Sequence, residues 1–349
     1  MMSASGRILS PKRLGLVVLL ILGIVVCNPA APPPPLASLR VGYFPNITHS
    51  QALIGVGRGD FAQALGPSLK LEPTVFNAGP SVIEAIFAGQ LDLAYIGPNP
   101  AINGYVKSRG EALRVIAGAT SGGAAFIVRP ESGIKTAADL GGKRIATPQL
   151  GNTQDVALRA YLVANGLRTT EQGGAVQVIP TQNPEILDLF RRGDIDGAWV
   201  PEPWATRLIV EAGGELFLDE RSLWPNGDFA TALVIVRKPF LDEHPDVVVT
   251  WLETHVALTL WAQANPEEAK QRANEQIELI TTKALPQAVL DGAWSRQRLT
   301  YDPIASSVLQ SAEAAYVAGF LEEEPDISGL FELGPLNQVL VEQGLPGVQ

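Results

Sequence analysis

The chain lines up with itself, without gaps, at an offset of 104 positions, the step from Leu39 to Lys143. Lys143-Arg-Ile145 falls under Leu39-Arg-Val41, and Asn152-Thr-Gln-Asp155 under Thr48-His-Ser-Gln51. Val178-Ile-Pro180 falls under Thr74-Val-Phe76, and Gly193-Asp-Ile-Asp-Gly-Ala-Trp-Val200 under Gly89-Gln-Leu-Asp-Leu-Ala-Tyr-Ile96. Identity is low, yet strand, loop, helix and glycine punctuation recur in one order. Two similar βαβαβ lobes are expected, each with a polar loop after its first strand and another after its third.

Those loops are where chemistry would collect. Leu39, Val41 and Tyr43 alternate as a strand does, Pro45 and Asn46 break it, and helical spacing resumes near Ser50. The first N–H groups of a helix lack partners within it, and its dipole favours negative charge there. Gly151-Asn-Thr-Gln-Asp155 opens a second helix in the same way. Ser81 and Glu84 carry a capping-box pattern, and Asn183-Pro184 reads as another helix start. Gly97-Pro-Asn-Pro100 and Pro201-Glu-Pro-Trp204 follow the third strands. There Trp199 reads as core, and Trp204, beyond the prolines, as a ligand wall. Thr120-Ser-Gly-Gly123 is either a close backbone approach to a ligand or a plain glycine turn.

Residues 1–27 belong to neither lobe. Arg7, Lys12 and Arg13 precede the apolar run Leu14–Val26, which is about 13 residues long. That is a secretory leader, too short to span a membrane comfortably. Cys27, the single cysteine of the chain, closes the run where bacterial lipoproteins carry their lipidated cysteine. Val25 and Val26 stand where small residues usually precede such a cysteine, so simple cleavage and an uncleaved anchor stay open. A Pro-rich tether, 28–38, would follow. Losing the leader's three positive charges takes the net charge from −10 to −13, which disfavours nucleic acid as a partner. No cysteine then remains, and the three histidines, His49, His244 and His255, show no metal-ligand spacing. No nucleophile elbow, HExxH, Walker loop or dinucleotide fingerprint is present, and no cofactor is expected.

The last 110 or so residues have no counterpart in the repeat and read as a series of helices after Pro239. If Thr231–Val236 rejoins the first sheet, the chain crosses between lobes twice, near Val128-Arg129 and near Phe229-Ala230. The expected fold is α/β: two βαβ lobes around a ligand cleft, with a helical C-terminal extension on the first lobe. Residues 39–128 and 230–349 would form lobe I, and 129–229 lobe II. Two short crossings would act as a hinge.

The stretches Ala-Gly-Gln-Leu-Asp-Leu-Ala-Tyr-Ile-Gly, Leu-Gly-Gly-Lys-Arg-Ile-Ala, Arg-Gly-Asp-Ile-Asp-Gly-Ala-Trp and Val-Arg-Lys-Pro-Phe-Leu-Asp-Glu-His-Pro carry a family resemblance. The chain resembles the substrate-binding proteins of ABC importers, within them the aliphatic sulfonate, taurine and nitrate group. That resemblance implies a periplasmic-binding protein type II fold that closes on a small organic anion. It further implies docking on permease transmembrane subunits, and together with the leader it gives the expectation of a monomer outside the cytoplasm, attached to the membrane through the lipid anchor. Position by position it implies Asn46, Thr48 and His49, then Pro98 and Asn99, Ser121 and Gly122, Asn152 and Thr153, and Glu202 and Trp204 as ligand contacts. None of these is Arg or Lys, which suits a monovalent sulfonate held by neutral dipoles. Glu202 would repel such an anion but would attract the amine of taurine. Nitrate or a pyrimidine is the alternative solute. An enzyme resembling the thiamin pyrimidine synthases of this fold is the rival class, and only His49 could serve it.

Overall fold

The computed structural model describes residues 36–349. The expected leader, Cys27 and Pro32–Pro35 lie outside the described residues. Strands β1 (Ser38–Tyr43), β2 (Lys70–Val75), β3 (Leu93–Ile96) and β4 (Leu113–Gly122) come first. Then follow β5 (Ala124–Val128), β6 (Arg144–Pro148), β7 (Gln177–Thr181), β8 (Gly197–Pro201) and β9 (Glu215–Asp219). β10 (Ala230–Arg237) and β11 (Gln297–Leu299) are the last. They form two sheets, β11-β4-β10-β3-β1-β2 and β7-β6-β8-β5-β9.

The offset of 104 is visible atom by atom. In each sheet the first strand of the repeat pairs in parallel with its two neighbours, β2-β1-β3 in one and β7-β6-β8 in the other. Arg40 N donates to Asp92 Oδ2 at 3.0 Å, and Arg144 N to Asp196 Oδ2 at 2.8 Å. Each arginine also reaches the carbonyl that ends the preceding helix, Gly89 in one lobe and Gly193 in the other. One carboxylate thus fastens the entry of the third strand to the start of the first, twice over.

Helices cover both faces of each sheet, so the strands read as apolar runs. In lobe I, α1 (Ser50–Arg58), α2 (Asp60–Leu65), α3 (Gly79–Phe87) and α4 (Pro98–Lys107) join the strands. Lobe II has α5 (Thr153–Ala164), α6 (Asn183–Arg192) and α7 (Trp204–Ala212). The extension supplies α8 (Lys238–Glu243), α9 (Pro245–Ala264), α10 (Pro266–Thr281), α11 (Gln287–Ser295), α12 (Ala305–Val317) and α13 (Gly334–Glu342). Leu93, Tyr95, Val234 and Val236 point to one face of the first sheet, packing with Trp251, Val256 and Leu340 of the extension. Ala94, Ile96, Leu233 and Ile235 point to the other, against α3, α4 and α12. His255 is a core group: its Nε2–H donates to Gly118 O at 2.8 Å, and Nδ1 accepts from Tyr95 Oη at 2.9 Å. α3 begins at Gly79, two residues before the capping-box pattern at Ser81, with Pro80 in its first turn. Among the described residues, no helix is long and apolar enough to cross a membrane.

The first crossing differs from expectation. β5 pairs with β8 and β9, so Ala124–Val128 belongs to lobe II, and the chain changes sheets at Gly122-Gly123 rather than at Val128-Arg129. All five residues of β5 are buried. An apolar run covered on both faces carries no mark of which sheet it joins. Gly122 and Gly123 have φ of +73° and +81°, the left-handed region that glycine reaches at little cost.

The second passage runs from Glu220 to Phe229, between β9 and β10. Glu220 is buried there and accepts from Trp199 Nε1 at 2.7 Å, which fixes Trp199 in the core of lobe II. Burial pushes the Glu220 carboxyl up to about 7, only partly offset by hydrogen bonds from Trp199 and Trp224. A raised carboxylate pKa means that the folded state binds the proton more tightly than the unfolded state, so stability falls as pH rises. We expect unfolding free energy to drop by up to about 3 kcal/mol between pH 4.5 and pH 8 from this group. Glu220→Gln should remove that part of the slope in denaturant titrations at several pH values. An unchanged slope would locate the titration elsewhere.

Candidate functional site

The carboxyl ends of β1, β2 and β3 face those of β6, β7 and β8 across the cleft, where α1, α3, α4, α5, α6 and α7 begin. Between the lobes lies a cavity of about 20 Å³, above the roughly 10–15 Å³ that one water needs but too small for an organic tail. Lobe I contributes Phe44, Asn46, Thr48, His49, Asn77, Gly97 and Thr231. Lobe II contributes Asn152, Thr153, Gln154, Asn183 and Pro201. No Lys, Arg, Asp or Glu is among them.

His49 sits on the short turn that leads into α1. Its ring stacks on Phe44, centroids 4.5 Å apart, and Nδ1 accepts the Phe44 N–H at 3.3 Å. Complete burial pushes its pKa down to about 3, so the ring is neutral. With Nδ1 accepting, the proton stands on Nε2, and His49 is a donor without charge. Three further buried polar atoms on the lining have no hydrogen-bond partner among the described residues: Thr153 Oγ1, Thr231 Oγ1 and Asn183 Oδ1. Two of these are hydroxyls able to turn a proton towards the cavity.

The lobe II loop is held from below. Asp155, fully buried, accepts from Gly151 N at 2.9 Å and from Thr147 Oγ1 at 2.8 Å. Arg159 Nε donates to it at 3.2 Å. Burial raises the Asp155 pKa, and the Arg159 charge and these hydrogen bonds oppose that shift. Gly151 takes φ +74° so that the chain can turn into α5 with Asn152 as N-cap. That leaves the N–H groups of the first turn free of side-chain caps. Lobes I and II touch around the cavity. Trp204 Nε1 donates to Asn46 Oδ1 at 3.0 Å, and Asn77 Nδ2 to Gln182 Oε1 at 3.1 Å. A Cβ built on Gly97 would lie 2.2 Å from Thr153 Oγ1.

Five of the residues expected at the site therefore line one cavity: Asn46, Thr48, His49, Asn152 and Thr153. The other six lie elsewhere. Asn99 Nδ2 donates to Ser311 O of α12, and Pro98 serves in the first turn of α4. Ser121 Oγ is bonded to Asp228, and Gly122 N to Phe229 O, so that glycine pair serves the crossing. Glu202 is turned away from the cavity, its carboxylate accepting from Thr206 N, Thr206 Oγ1 and Arg296 Nη1. Burial raises its pKa, opposed by the Thr206 and Arg296 contacts. Trp204 borders a neighbouring chamber rather than the cavity. Phe44, Asn77, Gly97, Gln154, Asn183, Pro201 and Thr231 also line the cavity, and of these Gly97, Gln154, Asn183 and Pro201 stand in the loops and helix starts picked out from the sequence. Thr231 had a signal, being a polar residue in the otherwise apolar run Ala230–Val236.

Comparison with known proteins extends the picture. The family described as NMT1-like matches residues 32–277. The chain is 26% identical, over 62% of its length, to a taurine-binding periplasmic protein of Escherichia coli (strain K12), of which it spans 65%. Its structure is similar to that of the alkanesulfonate-binding protein SsuA from Xanthomonas axonopodis pv. citri bound to MOPS. The TM-score is 0.72 at 19% identity, covering 85% of this chain and 99% of that one. The periplasmic nitrate-binding protein NrtA from Synechocystis PCC 6803 gives a TM-score of 0.75 at 15% identity, covering 90% of each chain. These two likenesses show a shared two-lobed α/β fold.

Proposed function

The chain belongs to the NMT1-like family, and from that premise we propose that it is an extracytoplasmic solute-binding protein of an ABC importer. It captures a small organic monoanion, an aliphatic sulfonate or taurine, between its lobes and delivers it to a permease; it does not transform it. Lipidation at Cys27 would keep it at the membrane as a monomer. The observation that carries this reading is the uncharged cavity between the lobes, whose donors come from both of them.

The chemistry follows from that donor set. A hydrogen bond to a charged partner contributes roughly 1.5–3 kcal/mol, so a few neutral donors and helix N-termini suffice for one negative charge. A dianion would leave a second charge uncompensated in a dry site. The charge difference favours sulfonate over sulfate, and the small volume keeps nitrate as a second reading. Taurine would need its amine outside the cavity, since Glu202 is already committed to Arg296.

A thermal-shift screen against sulfonates, taurine, nitrate, sulfate and pyrimidines tests the reading, because a ligand that binds only the native state raises the melting temperature by mass action. We expect the sulfonates to stabilise and sulfate not to. Thr153→Ala should weaken sulfonate binding about 10- to 100-fold by titration calorimetry, the loss of one donor to a charged ligand. Stabilisation by a pyrimidine alone, or an unaltered affinity in the Thr153 variant, would move the site or the solute class.

A further inference from the structure

The small cavity leaves the rest of an organic ligand unaccounted for, and an apolar chamber on its Trp204 side is placed to receive it. A second chamber of about 310 Å³ lies between the lobes and shares Asn77 with the first. Pro45 lies on its wall one residue from Asn46, and Pro184 one residue from Asn183, so the two spaces share loops from both lobes. The partition between them includes the hydrogen bond from Trp204 Nε1 to Asn46 Oδ1.

The chamber's chemistry is unlike the cavity's. Trp204, Ile277, Ala284, Leu285, Pro45 and Pro203 give it largely apolar walls. Its charged residues are mostly spent on one another. Arg207 donates to both oxygens of Glu211, at 2.9 and 3.3 Å, and its guanidinium lies 4.6 Å from the centre of the Trp204 ring. That arginine is held over the indole and does not compete for the anionic head. Lys283 lies at the exposed edge. The volume falls at the lower end of the range found for small-molecule pockets.

We propose that this chamber receives the tail of the ligand whose head occupies the uncharged cavity, and that it selects unbranched alkyl or single-ring sulfonates over taurine and nitrate. The proposal rests on the anion-binding reading above. The Trp204–Asn46 contact acts as the sill over which the tail passes, and the indole becomes one wall of the tail site. Because α7 of lobe II and the α10–α11 connection of lobe I both border it, a filled chamber ties the lobes together at a second point.

Calorimetry on the protein with methane-, propane-, pentane- and hexanesulfonate tests this. Each buried methylene contributes about fourfold in affinity, so three or four of them should tighten binding on the order of a hundredfold. Ala284→Trp fills the chamber without touching the head cavity. It should leave methanesulfonate affinity within about twofold while flattening the chain-length series. Thr281→Trp, at the exposed edge, is the second variant should the first not fold. A series that is flat in the unaltered protein, or a slope that survives both tryptophans, overturns the tail site while leaving the head site standing. Failure of every sulfonate to bind, methanesulfonate included, would defeat the anion reading and the tail site with it.

Discussion

Gly97→Ala should abolish tight ligand binding without unfolding the protein. Gly97 has φ −71° and ψ +156°, a conformation any residue adopts, so alanine imposes no backbone strain. The obstacle stands across the cleft. A methyl group there would sit 2.2 Å from Thr153 Oγ1 and 3.3 Å from Thr153 Cβ. Either the Thr153 hydroxyl turns out of the cavity or lobe II withdraws, and withdrawal takes Asn152, Thr153 and Asn183 away from a ligand seated on lobe I. Losing two hydrogen bonds to an anion costs about 3–6 kcal/mol, so affinity should fall at least about 100-fold. Small-angle scattering adds a second readout: saturating sulfonate should compact the parent protein but not this variant. Removing the opposing hydroxyl by Thr153→Ala should hurt less in the Gly97→Ala background than alone, because the two changes act on one contact. Compaction by ligand in Gly97→Ala would mean that the lobes close elsewhere.

Arg296→Ala should be the most destabilising change at the interface between the lobes. Arg296 follows α11 on lobe I and reaches into lobe II, where Nη1 lies 3.2 Å from Glu202 Oε1 and 2.7 Å from Thr206 Oγ1. Glu202 is fully buried, so removing the cation leaves an unpaired charge in a dry site, at a cost of about 3–5 kcal/mol. Burial already holds the Glu202 pKa above its ordinary value, and the variant loses the Arg296 contribution that opposes this shift. A raised carboxylate pKa penalises the folded state above the unfolded value and releases the penalty as pH falls. The destabilisation should therefore be large at pH 8 and shrink towards pH 5, read as unfolding free energy in denaturant. Arg296→Ala combined with Glu202→Gln should restore much of the loss. An equal deficit at both pH values would show that Arg296 matters for packing and not for charge.

Legibility in the sequence followed the range of the interactions involved. The repeat gave away both lobes because strand, loop and helix spacing are local, and Asp92 and Asp196 even repeat their backbone contacts. Asn46, Thr48, His49, Asn152 and Thr153 come to line one cavity through equally local features, since they stand in loops that open helices. Glu202, expected as a ligand contact, is bonded to Arg296, a partner 94 residues further on. Asn99 likewise answers to Ser311, which nothing near it in the chain announces. The sheet that β5 joins was hidden because a strand buried on both faces has no polar side to orient it. Gly97 was passed over because a glycine chosen for the approach of another lobe looks the same as one chosen for a turn.

The order of the strands also sets a timetable for folding. Sheet two is built from one unbroken stretch, β5 to β9, and can assemble as soon as that stretch is available. The first sheet cannot. β10 lies between β3 and β4, so until residues 230–237 arrive, those two strands present facing open edges with nothing to hydrogen-bond across the gap. More than a hundred residues separate β4 from the strand that completes it, and loop closure over that span is slow. Unpaired edges are templates for misassembly. The lobe that begins first in the chain is thus the last to finish, and the vulnerable species in this protein's folding is a half-sheet waiting for its centre.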